Sequence, residues 1–424
     1  MRQPSGFIDP NYPHHVYKLH KSLYGLKQAP RQWFQRFSDY LEELSFCESK
    51  ANYSLFTFRK GALILILLIY VDDILITGNS SSHISMLIQN LGKLFSMKDL
   101  SPLHFFLGLK AIYNSSGLYL TQKKYTMDLL HRTKFQDVKP ISSPTHTGHK
   151  LSLYDGDPLP NPTKYRSVVG ALQYLTLTCP DIAFAVNQVC QFMHQPTTTH
   201  WIVVKRILRY LKSTPTYGLF YQPSSLCLEA YFDANYAKNP DDCRSTGGYC
   251  IYLGYNPISW SAKKHRTVSR SSTKAKYHQL AYTTTEISWL RSLFKDLGVS
   301  LSTLLIWCDN ISSISLASNP VFRARTKNLE VDYHYVHDKV VHKELDVSYI
   351  CTTDQVADVF TKGLSSAPFK LLANKLMVCS CPISLRGCDN QKLDVSNSKS
   401  NIDSQESKNI VIKESNSNSD TCQT

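Results

Sequence analysis

Two carboxylates set inside an apolar run constrain this chain more than any other feature. Residues 62–78 read ALILILLIYVDDILITG, so Asp72 and Asp73 follow ten apolar or aromatic residues and precede Ile74, Leu75 and Ile76. Bare carboxylates are costly to desolvate, so the pair needs either a turn that carries it out of the core or a partner that neutralises it. The run 62–71 is far shorter than the roughly 20 residues needed to cross a bilayer, and it reads as a buried strand. On a regular strand neighbouring side chains point to opposite faces, but a tight turn lets both acids converge. A hard cation is the natural partner there, since magnesium takes oxygen ligands and bridges carboxylates to substrate phosphates. Asp is also a common turn residue and Gly78 follows, so an exposed hairpin turn fits the bare pair as well.

The text to about residue 110 reads as a small mixed domain around this hairpin. Trp33, Phe34, Phe37, Tyr40, Leu41 and Leu44 recur at helical spacing and predict a core-facing helix over 31–44. Residues 111–225 hold two predicted helices, 168–174 and 202–212, with proline-bearing connections at Pro180 and Pro196. In the second, Val204, Ile207, Leu208 and Leu211 form an apolar stripe opposite Lys205, Arg206, Arg209 and Lys212. Such a basic face is either solvated surface or a phosphate contact. From 226 to 375 the short β-like runs LEAYFDA, GGYCIYLG and LLIWCDN interleave with helical text over 274–297, the alternation of an α/β domain. Residues 376–424 close the chain as a tail that turns rich in Ser, Asn and charge after Cys388 and is predicted to be disordered.

Three further acids stand out in the α/β text. Asp233 ends LEAYFDA, Asp309 ends the apolar part of LLIWCDN, and Asp358 opens the helix-like VADVFTK. Each lies where a core element meets a loop, the kind of edge on which metal–phosphate chemistry is built. Each alone also fits a strand-end turn or a helix N-cap.

Composition sets the partner class. Lys and Arg number 47 against 33 Asp and Glu, a formal charge of +14 that favours a polyanion, with nucleic acid first and plain solubility as the alternative. A hydrophobic share of 42% over 424 residues excludes disorder for most of the chain and allows two or three domains. The twelve cysteines are scattered without any CxxC, which excludes zinc-finger spacing. With no signal peptide, a cytoplasmic or nuclear location with free thiols and no membrane partner is expected.

The motifs together resemble one family. YVDDILITG is similar to the catalytic hairpin of reverse transcriptases, and KLHKSLYGLKQAPRQW to the nucleotide-pocket and template-grip segment of copia-type LTR retrotransposon Pol polyproteins. FSMKDLSPLHFFLGLK resembles the segment leading to the primer grip of that family, and YFDANYA, STGGYCIYLG, ISWSAKKHRTVSRSSTKAKY, WCDN and QVADVFTKGL resemble its ribonuclease H domain. The resemblance covers most of residues 1–375 and implies a mixed α+β and α/β fold. A partial fingers and palm would span 1–110, a thumb or connection 111–225, and a ribonuclease H-like α/β domain 226–375. It implies magnesium at two-metal sites, with Asp72 and Asp73 as ligands in the first and Asp233, Asp309 and Asp358 in the second. Tyr24, Gly25, Lys27 and Tyr70 fall on the nucleotide-binding motif. The implied partners are RNA–DNA hybrid or duplex, with the remaining Pol segments. Lys263, Lys264, Arg266, Arg270, Arg206 and Arg209 are then candidate phosphate contacts.

The departures from the family pattern point to lost catalysis. A third palm aspartate is expected from a segment preceding the stretch that matches MRQPSGF, and the fourth ribonuclease H carboxylate is replaced by Lys276, with Lys274 at a neighbouring acid position. Lys110, Asn235, Cys179 and His337 also depart from the pattern, and every exchange is reachable by one G-to-A or C-to-T transition. The expectation is a reverse transcriptase and ribonuclease H segment that is catalytically defective. The alternatives are a nucleic-acid-binding remnant or a relic without selected function.

Overall fold

A computed structural model describes residues 2–3, 5–18, 26–71, 73–148, 150–301, 304–318, 330–380 and 408–414. The chain has the mixed α and β fold expected, and it divides into two compact units, 1–103 with 400–424 and 104–399.

In the first unit the apolar run forms a hairpin, strands Leu63–Tyr70 and Asp73–Gly78, in a sheet ordered Cys47–Glu48, Leu55–Lys60, Leu63–Tyr70, Asp73–Gly78, Lys408–Glu414, Met97–Pro102. Leu65, Leu67, Ile69, Ile74 and Ile76 are buried at strand period, as a one-sided sheet requires. Helices Ala29–Glu43 and Ser81–Leu94 add Phe37, Leu41, Ile84, Leu87 and Leu91 to that core, and Phe46, Phe56 and Phe95 complete it. The predicted aromatic face holds, with Phe37 and Leu41 buried and Trp33, Phe34, Tyr40 and Leu44 packed at its margin. Gly78 permits a close approach, since a Cβ there would lie 2.5 Å from Ile64 O. The polar tail differs from expectation, because Lys408–Glu414 is a strand within this sheet.

Among the described residues the second unit carries two five-stranded sheets. One is ordered Asn256–Lys264, Thr246–Leu253, Leu228–Ala234, Leu304–Cys308, Leu345–Tyr349; its first three strands are antiparallel and the last two join in parallel. The other is ordered Val378–Ser380, Tyr217–Tyr221, Gly117–Thr121, Leu109–Asn114, Phe105–Phe106. The two predicted connecting helices extend to Pro162–Leu175 and Thr198–Ser213, with a further helix Ala183–Cys190 between them that sequence periodicity did not resolve. The division anticipated at residue 225 is not a gap in packing, because Leu172, Val186 and Ile207 share one core with Cys250, Tyr252 and Phe360. Trp260 Nε1 also donates to Thr176 O at 2.9 Å.

The stripe Val204, Ile207, Leu208 and Leu211 is buried as predicted. On the opposite face Arg206 donates to Ser143 Oγ at 3.0 Å and meets His146 Nε2 at 2.8 Å, while Arg209 Nε donates to Lys139 O at 2.9 Å.

One acid is caught in this core. Asp181, on the turn Pro180–Ile182, is 3% exposed; the Tyr210 hydroxyl donates to its Oδ2, and Oδ1 has no hydrogen-bond partner among the described residues. Burial pushes its carboxyl from 3.8 up to about 6, against the opposing Tyr210 hydrogen bond. A raised folded-state pKa means that the fold favours the protonated acid, so this contribution is full below 3.8 and is lost as pH climbs through about 6. Urea titrations from acidic to neutral pH should show stability falling by on the order of 2–3 kcal/mol from this residue. Asp181→Asn should flatten that slope, and an unchanged slope would place its source elsewhere.

Candidate active site

The mixed sheet of the second unit gathers the three dispersed acids. Asp233 lies near the end of the central strand Leu228–Ala234, and Asp309 follows its parallel neighbour, paired Tyr231 to Trp307. Asp358 sits on the short 3-10 turn Val356–Phe360, where a longer helix was expected. That turn rests on Gly248, at which a Cβ would come within 2.4 Å of the Phe360 Cβ. A glycine here is what lets Asp358 reach the sheet. One carboxylate oxygen from each acid lies within 4.8 Å of the others.

Two ammonium groups occupy the space among these acids. Lys276, on the long helix Ser272–Asp296, places Nζ 2.9 Å from Asp233 Oδ1 and in an ion pair with Asp309 Oδ1, with its side chain 13% exposed. Lys362 Nζ lies 2.7 Å from Asp358 Oδ1 and 3.4 Å from Asp233 Oδ2, and Thr361 Oγ1 donates to Asp233 Oδ2 at 2.5 Å. Burial alone would raise the Asp233 carboxyl, but the charges of Lys276 and Lys362 outweigh it and hold the group below its ordinary value. Asp358 is pushed up to about 6, by burial first and by the Asp233 charge next. Burial would lower Lys276, yet Asp233 and Asp309 raise it, so the ammonium keeps its proton.

The three carboxylates by themselves are a donor set suited to a hard cation. With Lys276 bound between Asp233 and Asp309 the residues do not fit a two-ion centre. An ammonium has no lone pair to offer, and it repels a cation by about 4 kcal/mol per unit charge at ~4 Å and an effective dielectric of about 20. Lys274 takes no part in the cluster; its backbone N–H donates to the helix-capping Ser271 Oγ at 3.2 Å. Lys362 escaped sequence analysis as a site residue, although its spacing four residues after Asp358 was a usable signal.

In the first unit Tyr70 and Asp73 pair across the mouth of the hairpin. Val71, in the turn, has φ 53°, a left-handed conformation that a β-branched residue adopts only under strain. Lys27 is exposed in the turn before Ala29–Glu43. Asp72, Tyr24 and Gly25 lie outside the described residues.

Of the candidate phosphate contacts, Lys263, Arg266 and Arg270 are exposed, and Lys264 is paired with Asp242 at 2.7 Å. His265, in the same basic stretch, is buried. Arg206 and Arg209 hold the 139–146 segment instead of facing open solvent. Sequence analysis also missed a cleft of about 370 Å³ beside the acids, lined by Lys150, Lys238, Lys362, Gln188, Gln191 and Phe192 among others, with no acidic residue in its wall.

The family described as Reverse transcriptase (RNA-dependent DNA polymerase) matches residues 1–147. The Retrovirus-related Pol polyprotein from transposon RE1 of Arabidopsis thaliana is 47% identical across 90% of this chain and 26% of its own length. That from transposon TNT 1-94 of Nicotiana tabacum is 37% identical across 88% of this chain and 29% of its own length. A putative transposon Ty5-1 protein of Saccharomyces cerevisiae is 32% identical across 68% of this chain and 94% of its own length. The chain belongs to the copia-type retrotransposon Pol family. It spans about a quarter of the plant Pol polyproteins, 26% and 29% of the two named here. The N-terminal RNase H domain of rv2228c from Mycobacterium tuberculosis overlays with a TM-score of 0.25 at 12% identity, over 35% of this chain and 98% of that one. The acid-bearing sheet of this chain runs through three antiparallel strands and then two that join in parallel. Among the described residues no helix is long and apolar enough to cross a membrane.

Removing one partner of a buried pair strands the other charges. Lys276→Met is therefore expected to lower stability by roughly 3–5 kcal/mol at neutral pH. Millimolar magnesium or manganese should restore part of the loss, while leaving the melting temperature of the unsubstituted protein unchanged. Thermal unfolding with and without the ion checks both statements, and an ion response in the unsubstituted protein would contradict the second.

Proposed function

We propose that this segment of Pol holds RNA–DNA hybrid or duplex while its ribonuclease H centre is closed to hydrolysis. The observation that carries the reading is the Lys276 ammonium seated on Asp233 and Asp309, where a metal-dependent centre needs free carboxylate oxygens. Binding is supported by the formal charge of +14, the exposed Lys263, Arg266 and Arg270, and the acid-free cleft beside the cluster. Contacts of this kind neutralise phosphates without reading base sequence. They need no magnesium from the protein's own carboxylates.

A second reading has one specific support. The three acids remain assembled within 4.8 Å on the sheet, so exchange of Lys276 for a carboxylate, with Lys362 turned away, would leave a donor set suited to a metal. On that reading a longer Pol product is the working enzyme, and reverse transcription and hybrid cleavage belong to the whole polyprotein.

Fluorescence polarisation with a labelled RNA–DNA hybrid, paired with a cleavage assay, separates the two. The unsubstituted protein should bind without divalent metal, lose affinity linearly in log–log terms as salt rises, and release no cleavage product. Lys276→Glu should gain divalent-metal-dependent cleavage while binding hybrid with similar salt dependence. Cleavage by the unsubstituted protein that disappears in Asp309→Asn would overturn the proposal.

A further inference from the structure

The sheet of the first unit has a place for one strand between Asp73–Gly78 and Met97–Pro102, and the strand standing there comes from the far end of the chain. Lys408–Glu414 runs antiparallel to both neighbours. Its register on the hairpin strand runs from Lys408 opposite Gly78 to Lys413 opposite Asp73. On the other side Ile410 stands opposite Pro102 and Glu414 opposite Met97, with an irregularity between Ile410 and Ile412.

Strands in a sheet lie about 4.8 Å apart, so the two flanking strands are separated by roughly 10 Å and cannot pair with each other. Their inward-facing main-chain N–H and C=O groups therefore depend on an intervening strand or on water. Two such edges with a gap of one strand between them form a template for an extended peptide. The occupant's sequence suits the role. Ile410, Val411 and Ile412 give three consecutive β-branched residues inside a polar tail, between Lys408 and the Lys413–Glu414 pair.

We propose that the first unit is a strand acceptor, completed by the chain's own residues 408–414, and that this segment is exchangeable for the same sequence supplied as a separate peptide. The inference rests on main-chain pairing in the first unit and is independent of the hydrolase reading in the second. It also gives the tail a position with consequence, because the segment's Lys413 stands in register with Asp73 at the acidic turn. Any extended segment from another polypeptide that approaches that turn along the sheet must first displace the tail.

Hydrogen–deuterium exchange by mass spectrometry on the full-length chain tests this. Val411→Pro removes a main-chain donor from a strand with neighbours on both sides. Amides of 73–78 and 97–102 should then exchange roughly tenfold faster or more, while those of 228–234 in the second unit keep their protection. A synthetic peptide of residues 405–417, added in excess to the variant, should return the protection, and a peptide of the same composition in permuted order should not. A chain ending at residue 399 should respond to the two peptides in the same way. Equal exchange of 73–78 and 97–102 in the unsubstituted chain and Val411→Pro would overturn the proposal. So would loss of protection that neither peptide affects.

Discussion

Three carboxylates crowded within a few ångströms at the end of a sheet cannot all be charged in a low-dielectric site unless positive charge stands among them, and here Lys276 and Lys362 supply it. Asp233 is fully shielded from solvent and still holds its carboxyl below the ordinary value, because both ammonium groups reach it. Two cations against three acids leave one negative charge over. The remainder bears on Asp358, whose carboxyl is pushed up to about 6 by burial and by the Asp233 charge. The elements converging on this cluster are the central strand, its parallel neighbour, the long helix and the Val356–Phe360 turn. Ion pairs of the side chains thus do the neutralising that bound metal does in a metal-dependent hydrolase.

Much of this was legible in the residues, and the reasons differ from part to part. The hairpin was legible because ten apolar residues running into two acids leave a chain few choices, and the strands at 228–234 and 304–308 because their runs are short and flanked by turn residues. Asp233, Asp309 and Asp358 were each ambiguous alone, and only their resemblance to a family pattern placed them together. The role of Lys276 was read from sequence as repulsion of a metal. What sequence could not supply is that its Nζ bridges two of the acids, since that depends on where the long helix crosses the sheet.

The basic face of the helix Thr198–Ser213 shows why charge patterning underdetermines function. Its arginines were equally consistent with solvent and with phosphate, and in the structure Arg206 and Arg209 spend hydrogen bonds on the neighbouring 139–146 segment. Long guanidinium side chains can reach local carbonyls and hydroxyls that no linear pattern reveals. Packing across residue 225 illustrates a related point. Compositional change marks a change of local structure, whereas cores form between whatever apolar faces meet, and the helices before 225 meet the strand Thr246–Leu253 and the turn at Phe360.

The placement of Lys408–Glu414 bears on how the chain is made. About 330 residues separate Gly78 from the partner it meets in that strand. At translation speeds of about 5–20 residues per second, the hairpin would wait on the order of half a minute after emerging from the ribosome before its neighbour exists. During that interval the facing edges of Asp73–Gly78 and Met97–Pro102 stand open, so this sheet is a natural client for chaperones and closes only once residues 408–414 have emerged.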